Sequence, residues 1–147
     1  MTPKEVEKLF EAYVKRIGGV PIRFQDMADA NGAKLKTNPS DYVCVYKNGS
    51  VYSEVKSFNG DRFPFSNIKT SQRAWAGIII GLGQPYVFYI YHQPSATWHL
   101  VPAFIVLDKL KQGVKSLSLA DLSIFKIATG GSYDVCIEGS VFRLHSR

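Results

Sequence analysis

The feature that most constrains the fold is Asn48-Gly49, set between two runs rich in valine and tyrosine, residues 41–47 and 50–57. Two β-prone runs separated by two residues that tolerate positive φ read as a tight antiparallel hairpin. A two-residue loop also fixes the register: Lys47 faces Ser50, Val43 faces Glu54 and Asp41 faces Lys56. Because strand side chains alternate, Asp41, Val43, Val45, Tyr52, Glu54 and Lys56 are expected on one face, and Tyr42, Cys44, Val51, Ser53 and Val55 on the other. Two carboxylates and a lysine thus converge. As diagonal neighbours, roughly 7 to 8 Å apart at the backbone, Asp41 and Glu54 can turn toward one oxygen-preferring cation. A Glu-x-Lys tripeptide taken alone reads instead as the outward side of an edge strand.

The second helix weighs against that plainer reading. After a loop over residues 58–64, Ile68, Trp75, Ala76, Ile79 and Ile80 recur at helical spacing, and the run ends at glycines. Gln72 interrupts this apolar face, and a buried amide needs partners. A metal-bound water or phosphate oxygen would serve, and a backbone group competes on even terms.

Upstream, Val6, Leu9, Phe10, Tyr13, Val14 and Ile17 give a first helix over residues 2–17, capped by Thr2 and Pro3 and stopped by Gly18-Gly19. A polar connection over residues 25–40 carries Lys34 and Lys36. Downstream, residues 86–91 and 97–101 read as strands, 102–111 and 119–122 as helices, and 141–144 as a further strand. Helices alternating with strands give an α/β class, a mixed sheet covered by helices.

At 147 residues and 46% hydrophobic, one domain over 1–147 is expected. The net charge of +6 suits a polyanionic partner without proving one. Arg62, Lys69 and Arg73, with Lys34 and Lys36, are candidates for a phosphate-binding rim, and Phe63 on its loop is a candidate base-stacking residue. Cys44 and Cys136 lack metal or redox spacing and read as buried thiols in a reducing cytoplasm. His92, His99 and His145 share no ligand spacing and read as surface residues. The longest apolar stretch, around residues 76–82, is broken by glycine and too short to cross a bilayer. No membrane partner is expected.

The order Pro39-Ser40-Asp41, then Ser53-Glu54-Val55-Lys56, then Gln72 on a following helix resembles the PD-(D/E)xK nuclease superfamily, and more narrowly the RecU-type Holliday junction resolvases. Tyr42 after the aspartate, Phe63-Pro64-Phe65-Ser66-Asn67 before Ser71-Gln72, and the stretch from Lys115 to Leu122 stand where that family has similar segments, so the likeness runs along nearly the whole chain. The resemblance implies a restriction-endonuclease-like mixed sheet flanked by helices, and Mg²⁺, with Mn²⁺ as a substitute, held by Asp41, Glu54 and Gln72 directly or through water. It implies Lys56 as the transition-state stabiliser and a first-helix glutamate completing the site, Glu11 in preference to Glu7. It further implies a homodimer cutting four-way DNA junctions in the cytoplasm of a bacterial or phage-infected cell. Pro39 stands where the family has threonine, and the 25–40 connection is shorter than the family's stalk, as in a compact phage-type member. Two other functions fit the same residues: a related nuclease acting on duplex, nicked or flapped DNA, and a DNA-binding module without catalysis.

Overall fold

The structure is a computed structural model that describes residues 1–25 and 37–127 in full, and the backbone of two further strands, 133–137 and 140–144. Lys34, Lys36 and His145 lie outside the described residues, as does the side chain of Cys136.

The chain begins with α1 (Pro3–Arg16), which has the expected cap: Thr2 and Glu5 exchange side-chain and backbone hydrogen bonds. Then come β1 (Val20–Arg23), the hairpin strands β2 (Tyr42–Tyr46) and β3 (Gly49–Phe58), and β4 (Arg62–Pro64). A 3₁₀ turn at Phe65–Asn67 leads into α2 (Thr70–Gly81), followed by β5 (Tyr86–His92), β6 (Thr97–Pro102) and α3 (Ala103–Lys111). The short β7 (Ser116–Ser118) and α4 (Leu119–Ser123) precede the ribbon of β8 (Tyr133–Ile137) and β9 (Ser140–Leu144).

Five strands form one mixed sheet in the order β1-β2-β3-β5-β6. β3 and β5 are parallel, so the chain must cross over between them, and α2 is the helix of that crossover. Every residue of β5 is buried, as a central strand covered on both faces requires. Phe10 of α1 packs on Tyr42 and Tyr89, with ring centroids 5.0 and 4.7 Å apart, so α1 covers the face of the even-numbered β2 residues. α2 and α3 cover the opposite face, to which Glu54 and its parallel neighbour Phe88 belong.

Three expectations need correction. The hairpin loop is Lys47-Asn48, not Asn48-Gly49: Tyr46 pairs with Gly49 and Val43 with Tyr52. Asn48 keeps a negative φ, and Gly49 alone takes the positive value, 142°. This shift by two residues preserves the predicted faces and moves Asp41 from opposite Lys56 to opposite Glu54. Secondly, His92 and His99 are buried. His92 Nε2 donates to the Gly60 carbonyl at 2.9 Å and His99 Nδ1 to the Leu122 carbonyl at 3.0 Å, so both tie loops to the sheet. Thirdly, Phe63 is fully buried, edge-on to Phe58 in the core, and has no face for a base.

Candidate active site

β2 pairs with β3 only as far as Tyr42 opposite Ser53. Asp41 stands where the pairing stops, and its Oδ2 accepts the Val55 N–H at 2.9 Å, capping the strand edge with a carboxylate. Glu54 is 2% exposed. Its Oε2 accepts from Gln72 Nε2 at 3.0 Å, and Tyr86 Oη stands 3.3 Å from its Oε1. That phenol has one proton and also lies 2.7 Å from the Pro39 carbonyl, which the shorter contact favours. Glu54 is thus short of donors. Burial, followed by the neighbouring Asp41 carboxylate, pushes its carboxyl up to about 8.

Lys56 projects from the same face two residues on, and its Nζ donates to Gln72 Oε1 at 2.9 Å. Burial lowers the lysine's pKa, opposed by the charges of Glu54 and Asp41. Gln72 Oε1 also accepts the Lys69 N–H at 2.9 Å. Both groups meeting this oxygen are donors only, which fixes the amide's orientation. Gln72 therefore links the acid to the base, and its backbone-bonded alternative is realised at the same time.

The structure brings Asp41, Glu54, Lys56 and Gln72 together. Glu11 is elsewhere: it accepts from Tyr42 Oη at 3.0 Å, on the α1 side of the sheet. Burial, then this bond, raises the Tyr42 pKa. It is Glu7 that shares a cavity with Lys56, and a contact with Arg23 Nε at 3.4 Å steadies it. Among the rim candidates, exposed Lys69 lies close enough for its charge to help lower the Lys56 pKa. Arg62 Nε is bonded to Ser116 Oγ at 2.8 Å, and Arg73 Nη2 to the Phe65 carbonyl at 2.8 Å. Tyr86 escaped sequence reasoning because its strand looks like ordinary core; only the β3–β5 register places it beside Glu54.

Whether these residues suit a divalent cation is a question of donor chemistry. Asp41 and Glu54 are hard oxygen donors side by side, and the buried one is held largely protonated by its burial and by the Asp41 carboxylate, which outweigh the opposing charge of Lys56. A cation would relieve that cost, so the pair fits one. Among the described residues no group of three or more acidic, histidine or cysteine side chains is gathered. Gln72 Oε1, already taken by two donors, is placed to position its neighbours.

The sheet order and flanking helices define a restriction-endonuclease-like α/β fold. Within that class, the chain is similar to the Holliday junction resolvase Hjc of Archaeoglobus fulgidus, with a TM-score of 0.60 and 16% identity, over 82% of this chain and 92% of that one. No protein-family model and no curated protein matches the sequence. No helix among the described residues is long and apolar enough to cross a membrane.

Proposed function

We propose that this chain is a divalent-metal-dependent DNA endonuclease that cuts four-way junctions as a homodimer. The observation that carries the reading is the chain of bonds Glu54–Gln72–Lys56 beside Asp41. It sets two carboxylates and a lysine on one face at the open end of a strand, where a phosphodiester can approach. Mg²⁺, or Mn²⁺ in its place, held by Asp41 and Glu54, would supply polarisation of a phosphoryl oxygen. Lys56, with its proton made easier to lose by burial, takes a proton from the attacking water or stabilises the charge that builds on phosphorus. Gln72 holds Lys56 and Glu54 at fixed separation, and Lys69 extends the positive rim toward the backbone of the substrate. The likeness to Hjc, whose substrate is the Holliday junction, favours the junction over linear duplex.

The test is a cleavage panel with Mg²⁺ on four-way, flapped, nicked and linear duplex DNA, comparing the parent with Asp41→Asn and Lys56→Ala. Symmetric junction nicking that both substitutions reduce by about a thousandfold is expected. Equal cutting of linear duplex would replace the junction by a broader substrate. Activity unchanged in both variants would remove the proposed site, and binding without cutting under any divalent metal would leave a DNA-binding module.

A further inference from the structure

Among the described residues, no strand pairs with the outer edge of β3 past Ser53. Val55 sends its N–H to Asp41 on that side, and strand alternation turns the N–H and C=O of Ser57 the same way. The notch so formed is a cavity of about 270 Å³. Pro3 and Val6 of α1, with Val55, give it an apolar wall; Glu7, Ser57 and Asn67 give it hydrogen-bonding groups, and Lys56 stands at its border. It falls just below the roughly 300 to 1,000 Å³ of sites that engulf a whole small molecule. It suits one flat heterocycle, with an apolar wall for the ring face and an amide, a carboxylate and strand-edge backbone groups for the ring edge.

Resting on the nuclease reading above, we propose that this cavity receives the unstacked base of a nucleotide next to the scissile phosphate. Lys56 belongs to both the chemistry and the cavity border, so a phosphate at Lys56 places the adjoining base within reach. A base in a continuous stack cannot enter, whereas one at a branch point has already lost a stacking neighbour. The cavity thereby selects branched DNA, and Asn67, with donor and acceptor on one amide, senses which base enters.

Two measurements test this. The first places 2-aminopurine at each nucleotide flanking the cut in a four-way junction and reads its fluorescence on binding without divalent metal. A rise at one position with the parent, lost with Val6→Phe, is expected; no rise at either position overturns the proposal. The second compares cleavage of junctions with each of the four bases, or an abasic site, at that position. The parent should discriminate among bases and cut the abasic junction about tenfold more slowly. Asn67→Ala, at an exposed position, should level the four bases and match the parent on the abasic junction. Equal slowing of intact and abasic junctions by Asn67→Ala also overturns it. If the parent cuts no DNA, the nuclease reading fails, and the fluorescence arm still decides whether a base enters.

Discussion

Gln72 makes three polar contacts, and two of them fix Lys56 and Glu54, the groups to which the proposed function assigns the chemistry. Removing the amide leaves Lys56 Nζ and Glu54 Oε2 free to swing, without opening the core, because the side chain is only half-buried. Gln72→Ala should therefore lower DNA cleavage by roughly 10- to 100-fold, the range for outer-sphere positioning groups, while urea denaturation shifts little. Glu54 makes a different expectation. Its carboxyl stands at about 8 in the folded chain against an ordinary 4.5. Between these values the folded state holds a proton that the unfolded chain has released, so stability without metal falls as pH rises through that window and levels off above it. Glu54→Gln abolishes the titration. In EDTA at pH 8 it should melt roughly 5 °C above the parent, with a flatter dependence on pH; an equal slope in both proteins would dissociate Glu54 from the effect. Added Mg²⁺ should stabilise the parent and not the variant. At this scale the sequence was informative about placement: Asp41, Glu54, Lys56 and Gln72 gather in one cluster. It could not choose between Glu7 and Glu11, because both lie on the sheet side of a helix whose roll depends on tertiary packing.

The hairpin shows how an element can be read correctly for an incomplete reason. Asn-Gly predicted a two-residue turn, and one forms, but with Lys47-Asn48 as its loop and Gly49 as the first residue of β3. A slip of two residues keeps every side chain on its face, whereas a slip of one would have scattered the acids and the lysine across both sides. β1 was hidden because Val20-Pro21-Ile22-Arg23 is short and proline-interrupted, a pattern that suits an edge strand and carries little local signal. β4 and β7, three residues each, exist only through pairing with one another. The junction of α1 and β2 depends on Gly19 instead. A Cβ there would lie 2.5 Å from the Tyr46 ring and 2.8 Å from Val14 Cγ1, both in buried side chains. Gly19→Ala should accordingly cost about 1 to 3 kcal/mol in urea denaturation, with α1 displaced from the hairpin that carries the site. An unchanged midpoint would mean that the two elements part without cost.

At the scale of the molecule, the proposed function assigns a net charge of +6 to attraction toward DNA and an open-edged site to the cutting of one strand. Resolving a four-way junction takes two cuts, disposed symmetrically, so one copy of this site is half of what the reaction needs. The proposed homodimer supplies the second copy, and its consequence can be measured on a supercoiled plasmid bearing a cruciform. Two active sites acting within one bound complex give linear DNA, while one active site gives a nicked circle. Parent protein and Lys56→Ala, differently tagged, mixed in equal amounts and allowed to exchange, pair at random to give about half mixed dimers. Purified through both tags, these should nick the cruciform at a rate comparable to the parent and linearise it far more slowly. Nicked and linear products in the parental ratio would show that the two cuts come from separate encounters, and the symmetric two-site reading would then give way to a monomeric nuclease acting on one strand at a time.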